Sequence, residues 1–323
     1  MGLKIMQTAH YVPPKVVTND DLAAMMDTSD EWISSRTHIK QRHTAQNEQT
    51  SDLAIKVAKR LLQKAHISSD QLDFIIVATM SPDYLTPSTA AIVQGRIHAD
   101  HAFAFDINVA CSGFIYALSI ADKLLAGSYQ RGIVIGAEVL SKLVDWHERS
   151  TAILFGDGCG GVLVESNKLI HGVMAEDLTC FGERNQVLTA GYNPLNSPFN
   201  DDKTSVHRKY FEMDGREVYR FATHEVPKSI KRVLAKANWQ SGQVDWYLLH
   251  QANGRIVATI AQRLEEDETK FLSNVAKFGN TSAASIAILL DEAVSTGKIQ
   301  TGQKLILSGF GGGLTVASIA LIF

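Results

Sequence analysis

The sequence predicts an α/β protein of two similar halves, with mixed, mostly parallel sheets covered by helices on both faces. Three observations carry that prediction. The segment SSDQLDFIIVATM (68 to 80) reappears in outline as QSGQVDWYLLHQAN (240 to 253), each placing an Asp before an apolar strand. An amphipathic helical stretch precedes each copy, TSDLAIKVAKRLLQKAH in the first half and FATHEVPKSIKRVLAKANW in the second. Helical and apolar strand patterns then alternate through both halves, as parallel strands joined by helical crossovers require.

Taken in order, the elements stay in step. ACSGFIYALSIADKLLAG (110 to 127) corresponds to SAASIAILLDEAVSTG (282 to 297); each opens on small residues, runs apolar and stops at a Gly suited to a helix C-cap. The strands RGIVIGAE and QKLILSGF follow, and GGVLVES and GGLTVASIALIF supply one more strand in each half. An extra segment, Leu140 to Gly158, separates the last two strands of the first half, and the chain from about 177 to 216 is polar and turn-rich. The apolar run breaks at ESNKLIHG, which sets a boundary near residue 170 between an N-terminal half (1–170) and a C-terminal half (171–323) that share one packed interface.

With Lys+Arg at 31 against Asp+Glu at 34, the chain has no general affinity for nucleic acid or anionic membranes, and any basic patch must be local. No apolar run reaches the ~18 residues of a spanning helix, and the start MGLKIMQTAH lacks the apolar core of a signal peptide. A cytoplasmic protein is therefore expected. Three cysteines, Cys111, Cys159 and Cys180, are widely spaced and form no CxxC pair, which argues against both a disulfide framework and a metal site.

Cys111 follows the strand-like AFAFDI and begins a helix, so backbone N–H groups and the positive helix end can face its sulfur. The stretch alone fits a small buried Cys equally well. The dipole contributes roughly 0.3 to 1 kcal/mol, less than the ~1.36 kcal/mol of one pKa unit. A second group must therefore assist any thiolate. His250 ends the apolar strand DWYLLH, at the C-terminal sheet edge where α/β proteins build sites. Asn280, in KFGNTSAAS, enters the second-half helix equivalent to the one Cys111 opens. Taken singly, these would be a structural His and an N-cap; together, the repeat brings them to one interface as a Cys-His-Asn constellation. GDGCGG (156 to 161) fits GxGxxG but precedes a strand, whereas a dinucleotide fingerprint must open a helix. GFGGG (309 to 313) also precedes a strand and reads as a tight turn with an N–H available to an oxyanion.

Six segments, DTSDEWISSRT, NVACSGF, ERSTAILFGDG, LLHQANGRI, GNTSAAS and GFGGGLT, lie in the order of a known family. They resemble the thiolase superfamily and, within it, the β-ketoacyl-acyl carrier protein synthase III family. The resemblance runs almost end to end. It implies a thiolase-like fold, layered α/β/α/β/α, and an enzyme that condenses an acyl-CoA primer with malonyl-acyl carrier protein without a permanently bound cofactor. Cys111 would be the nucleophile, with the N–H groups of Cys111 and Gly312 as its oxyanion hole, while His250 and Asn280 would stabilise the enolate. A neutral Asn suits that step better than a carboxylate, which would repel malonate.

The same resemblance assigns Thr28, Trp32, Arg36, Arg149, Gly215 and Asn253 to CoA or the phosphopantetheine arm, with Trp32 and Arg149 sandwiching an adenine. Tyr84, Leu85 and Thr86 would border the acyl pocket. A homodimer would pair through AFAFDI and bring the Thr86 loop to the partner's pocket. Arg255 and Arg263, at helical spacing with Thr259, would form a carrier-protein docking face with Arg220. Three residues depart from the family pattern: Thr86 for a larger apolar residue, His38 for Gly, and Val316 for Trp. A thiolase would want a second Cys near the C-terminus, and the last is Cys180. Two alternatives remain, a related condensing enzyme of specialised metabolism and an inactive acyl-binding scaffold. Acylation of Cys111 separates enzyme from scaffold.

Overall fold

The structure is a computed structural model that describes residues 2–167, 172–195, 197–199 and 209–323. Strand β1 (Gly2–Tyr11) is followed by the antiparallel pair β2 (Lys15–Thr18) and β3 (Gln41–Thr44), with α1 (Asn19–Ala23) and α2 (Asp30–Thr37) between them. Thr18 and Ser29 cap these two short helices through their hydroxyls. Then come α3 (Thr50–Ala65), β4 (Phe74–Ala78), α4 (Thr89–Arg96), β5 (Phe103–Ile107), α5 (Gly113–Ala126), β6 (Arg131–Glu138), α6 (Arg149–Ala152) and β7 (Gly158–Asn167). The second half runs β8 (Val173–Cys180), β9 (Leu188–Thr189), β10 (Glu212–Met213), α7 (Gly215–Ala237), β11 (Trp246–Leu249), α8 (Gly254–Leu264), α9 (Val275–Phe278), α10 (Ser285–Ser295), β12 (Lys304–Gly311) and β13 (Thr315–Ile322).

The first sheet has the order β1-β7-β6-β4-β5, and the second β11-β12-β13-β8. Both are mixed. β6, β4 and β5 pair in parallel, as do β11 and β12, while β7, β1, β13 and β8 add antiparallel. The repeat is visible in the register: Phe74 opposes Gly132 in the first sheet as Trp246 opposes Leu305 in the second.

Burial follows the layers. α3 places Leu53, Val57 and Leu61, one helical stripe, on the outer face of the first sheet with α4. α7 and α8 cover the outer face of the second sheet in the same way. Between the sheets lie α5 and α10, apolar nearly all round because both faces are buried. These are the five layers of an α/β/α/β/α sandwich. The two halves grip each other through glycines: a side chain at Gly136 of β6 would collide with the Ala283 carbonyl at the start of α10, and one at Gly309 of β12 would lie 2.9 Å from Ser112 Cα and 3.0 Å from the Cys111 carbonyl. Each sheet thus packs on the other half's helix start.

Apart from the separate β2–β3 and β9–β10 pairs, strands through Asn167 belong to the first sheet and those from Val173 to the second; the boundary expected near residue 170 itself lies outside the described residues. The turn-rich stretch contains the end of β8, a 3-10 turn (Gly182–Val187) and the β9–β10 pair, with 196 and 200–208 outside the described residues. GDGCGG opens β7, a strand. Among the described residues no helix is long and apolar enough to cross a membrane, and no group of three or more His, Cys, Asp or Glu side chains could hold a metal ion.

Candidate active site

The two helix starts meet at a cavity of about 610 Å³ whose walls include Cys111, His250, Asn280 and Gly312. Cys111 sits within the 3-10 turn Ala110–Ser112 that leads into α5. Asn108 shapes this turn, its Oδ1 accepting the Ala110 N–H at 3.2 Å, while Ala110 takes a left-handed φ of 43°. Asn280 does the same one repeat later. Its Oδ1 accepts the Ser282 N–H at 2.9 Å, and Ser282 has a φ of 47°. Because a backbone N–H needs an acceptor, this bond fixes the orientation of the Asn280 amide and leaves its NH2 for the cavity.

Ser282 then reaches across the interface and donates its hydroxyl to the Cys111 sulfur at 3.2 Å. That is the second group the isolated dipole required. Burial nonetheless dominates and pushes the thiol up to about 12; Ser282 and the residue's own N–H pull down, and Glu138 pushes further up. Cys111 therefore rests as a thiol. Gly311 closes over it, with room for no side chain: a Cβ there would stand 2.8 Å from Cys111 Cβ and 3.0 Å from its sulfur.

His250 leaves β11 with its N–H on the Ser308 carbonyl at 2.8 Å and its ring edge-on to Phe310, 5.1 Å between centroids. Burial lowers its pKa to about 3, so the imidazole is neutral. Nδ1 lies 2.7 Å from Ser285 Oγ, and that oxygen also accepts the Gln251 N–H at 3.4 Å. When the Ser285 hydroxyl donates to Nδ1, the remaining ring proton sits on Nε2 and faces away from that bond. In that tautomer neutral His250 is a hydrogen-bond donor through Nε2.

At the mouth, Gly215 and Asn253 line the cavity. Asn253 caps α8 by accepting the Arg255 N–H at 2.8 Å and donates to the Arg36 carbonyl at 3.1 Å, which ties the mouth to α2. Trp32, Arg36, Arg149 and Thr28 lie outside the cavity walls. The guanidinium carbons of Arg36 and Arg149 each stand 4.5 Å from the Trp32 ring centroid, so the expected Trp32–Arg149 sandwich is closed on itself here. Arg149 also donates to the Asp27 carbonyl at 2.7 Å, and the neighbouring Thr28 hydroxyl is buried without a partner.

Tyr84, Leu85 and Thr86 do not line this chain's cavity; Tyr84 is 62% and Leu85 85% exposed. The apolar wall is instead built by Met80, Leu188 and a stacked pair, Phe155 and Phe211, with centroids 4.1 Å apart. Sequence reasoning missed these residues: Phe155 lies inside a recognised motif, but nothing in the string shows which way it points. Of the departures, Val316 is buried in the outer core of the second sheet, and His38 adopts φ 63° at the end of α2 with its ring against Gly254.

The family described as 3-oxoacyl-[acyl-carrier-protein] synthase III matches residues 105–182, and its C-terminal region matches 234–323. The β-ketoacyl-[acyl-carrier-protein] synthase III of Streptococcus uberis is 53% identical over 319 residues, 98% of each chain. The chain belongs to the β-ketoacyl-acyl carrier protein synthase III family. Among solved structures, the synthase III of Aquifex aeolicus has a TM-score of 0.93 at 40% identity over 100% of both chains. A priming β-ketosynthase from the R1128 polyketide pathway has the same TM-score at 30% identity, over 100% of this chain and 96% of the other. Identity thus favours the synthase III enzymes over a specialised-metabolism condensing enzyme.

Proposed function

We propose that the chain catalyses the initiating condensation of an acyl-CoA primer with malonyl-acyl carrier protein through an acyl-Cys111 intermediate. The observation that carries this reading is the meeting of Cys111, neutral His250 and the Asn280 amide in one cavity, with Ser282 donating to the sulfur. In the first half-reaction the Cys111 sulfur attacks the thioester carbonyl, the C–S bond to CoA breaks, and the thiol proton leaves with the CoA sulfur. The N–H groups of Cys111 and Gly312 hold the transient oxyanion. In the second, the carboxyl carbon of malonyl departs as carbon dioxide. The electron pair left behind becomes an enolate, whose oxygen accepts from His250 Nε2–H and the Asn280 NH2. That carbanion attacks the acyl carbonyl; the Cys111 sulfur is expelled and regains a proton from solvent. Donors that are neutral throughout suit this division, because neither must be deprotonated before malonate arrives.

The acyl-CoA thioester is a substrate in this scheme and CoA a product, and no resident cofactor is needed. Thr28, Trp32, Arg36 and Arg149 serve the CoA end, and Gly215 and Asn253 the pantetheine arm; the unpartnered Thr28 hydroxyl supports the former. Opening the Arg149–Trp32 stack would admit an adenine. A cytoplasmic homodimer completes the reading: β5 is an edge strand with Phe103 exposed, and the exposed Tyr84–Leu85–Thr86 loop borders the acyl pocket from the partner subunit. Mass spectrometry after incubation with acetyl-CoA should find an acetyl group on Cys111. Cys111→Ala should lose the adduct and all condensation yet still decarboxylate malonyl-carrier protein. No adduct with any acyl-CoA would favour the inactive scaffold.

A further inference from the structure

Arg42, on β3, is fully buried, and its guanidinium is held by neutral oxygens rather than by a carboxylate. One Nη donates to the Val17 carbonyl at 3.3 Å and to Asn19 Oδ1 at 2.8 Å, and the other to the Ile153 carbonyl at 2.6 Å. The Nε–H is buried without a partner. Such a cation is a poor source of stability, because an apolar side chain of similar length would avoid the desolvation and the orphaned donor. Burial lowers its pKa to about 10, which leaves it charged at neutral pH. What a guanidinium supplies here is a rigid fork that fixes three segments of chain at once.

Those segments converge on the two helices that carry Trp32 and Arg149. Asn19, buried at the start of α1, passes the link on: its Nδ2 donates to Asp30 Oδ1 at 2.7 Å and to the Ile39 carbonyl at 2.7 Å. Asp30 opens α2 and Ile39 lies just past its end, so Asn19 brackets the helix that bears Trp32 and Arg36. Ile153 immediately follows α6, whose first residue is Arg149. Leu22, Ile33, Ile39 and Ile153 share a small apolar cluster, with Trp32 packed at its edge. We infer that Arg42 is a positioning residue for the acyl donor: its guanidinium, acting through Asn19 and Ile153, sets α2 against α6 and so places Trp32 and Arg149 for the nucleotide end of CoA. The inference deepens the proposed function and rests on Trp32 and Arg149 meeting CoA. It also separates the half-reactions. Acyl-CoA brings a nucleotide, whereas malonyl-carrier protein presents its arm without an adenine, so Arg42 serves the first step and not the second.

The test is calorimetric binding of CoA and of pantetheine, the same arm without the nucleotide, to wild type and to Arg42→Met. Met removes the fork but keeps the β-carbon, which lies beside Gly156 and Gly279 at the approach to Asn280. Wild type should bind CoA more tightly than pantetheine; Arg42→Met should bind CoA about tenfold more weakly, with its pantetheine affinity unchanged. In turnover the KM for acetyl-CoA should rise by a similar factor, while decarboxylation of malonyl-carrier protein stays within about twofold of wild type. Equal weakening toward both ligands, or an unchanged CoA affinity, overturns the inference, because a merely structural lesion has no reason to distinguish two ligands that share one arm. Asn19→Asp provides a second route, which carries the test alone should Arg42→Met fail to fold. It keeps an acceptor for Arg42 and sets a second carboxylate against Asp30, so the link to α2 is broken by repulsion. CoA affinity should again fall and pantetheine affinity hold; unchanged CoA binding in this variant overturns the relay. Wild type binding CoA no more tightly than pantetheine would remove the nucleotide site and this inference with it. Absence of an acetyl group on Cys111 would instead remove the proposed reaction without altering the binding result.

Discussion

The turns that open α5 and α10 share a backbone and divide the chemistry. Each is a single 3-10 turn with one left-handed residue, Ala110 or Ser282, shaped by an Asn side chain two residues earlier. Around that common frame four matched pairs differ: Cys111 against Ala283, Gly311 against Glu138, Ala78 against His250, and Gly113 against Ser285. The first half spends its frame on a nucleophile beneath an open N–H. In the second half the same frame carries donors, and the matched strand ends on the buried Glu138, whose carboxylate accepts from Thr79, Met80 and Ser81. A duplicated backbone supplies two anion-seeking turns, and side chains decide which one a substrate can use.

Reverting the second half to the first at its donor should have the largest effect. His250→Ala restores the residue found at Ala78 and removes an enolate donor, so decarboxylation and condensation should both fall about a thousandfold. Cys111 acetylation should survive. Retained decarboxylation would break the proposed division between halves.

The converse substitution, Gly311→Ala, brings β12 one carbon closer to Glu138 of β6. Its Cβ would lie 2.8 Å from Cys111 Cβ and 3.1 Å from the Cys111 nitrogen, positions set by backbone that cannot simply rotate away. Acylation should drop about a hundredfold through misplacement of the sulfur, while decarboxylation, which depends on His250 and Asn280, falls much less. Equal losses in both half-reactions would mean that the two turns are not separable.

Stability against pH sharpens the comparison, since only one half buries a histidine at this position. The folded-state pKa of His250 lies near 3, below the ordinary value of 6.5, so the unfolded chain binds more protons between these limits. The contribution is complete above pH 6.5 and is lost as pH falls toward 3. Between pH 6.5 and 5 wild type should lose about 2 kcal/mol that His250→Gln keeps. Glu138 acts in the opposite sense below pH 7, its carboxyl being raised, but it does so in both proteins and cancels from the difference. Parallel urea midpoints over this range would show that the imidazole is not buried neutral. A smaller change follows from Ser285→Gly, which copies Gly113. It removes the 2.7 Å bond between Ser285 and His250 Nδ1 that orients the imidazole and should slow decarboxylation about tenfold with little change in KM.

Much of this comparison can be read in the sequence, because a repeat preserves its own spacing. DWYLLH and DFIIVA align without a gap, and the strands they predict are β11 and β4. The helix starts align too, and Asn108 and Asn280 form a matched pair two residues upstream of them. What stays hidden are contacts between residues far apart in sequence whose chemistry is ordinary. Ser282 touches Cys111 across 171 positions, and Phe155 stacks on Phe211 from a different loop. Glu138 ends an apolar strand like any solvent-facing acid, and only the fold reveals that it is buried. The Tyr84–Leu85–Thr86 loop illustrates a further limit, since the sequence places it in order with the site motifs while the fold leaves it exposed and outside this chain's cavity.

The smallest effect concerns the helices that follow the matched strands. α4 has a single basic residue, Arg96, in its last turn, whereas α8 carries Arg255 and Arg263 beside the site's mouth. The basic face expected from their spacing is narrower than it looked. Thr259, between them, meets Tyr219 of α7 at 2.8 Å, and Arg263 donates to the Thr223 carbonyl at 2.8 Å, so this stripe turns toward α7. Arg220 pairs with Glu217 at 2.9 Å. Arg255, exposed next to Asn253 at the mouth, is left as the one proposed docking cation of the three without an intramolecular side-chain partner among the bonds above. Arg255→Glu should raise KM for malonyl-carrier protein about three- to tenfold at low ionic strength, with the difference shrinking as salt screens the encounter. Acetylation by acetyl-CoA should be nearly unchanged. The control is built into the helix: Arg255 is the second residue of α8, where the dipole favours an acid, so the substitution should preserve or slightly raise stability. A KM increase in Arg255→Glu therefore cannot be ascribed to unfolding. Arg263→Glu should instead lower the melting temperature, because it breaks the link to α7. If Arg255→Glu leaves KM untouched, or slows both half-reactions alike, α8 is not the surface on which the carrier protein lands.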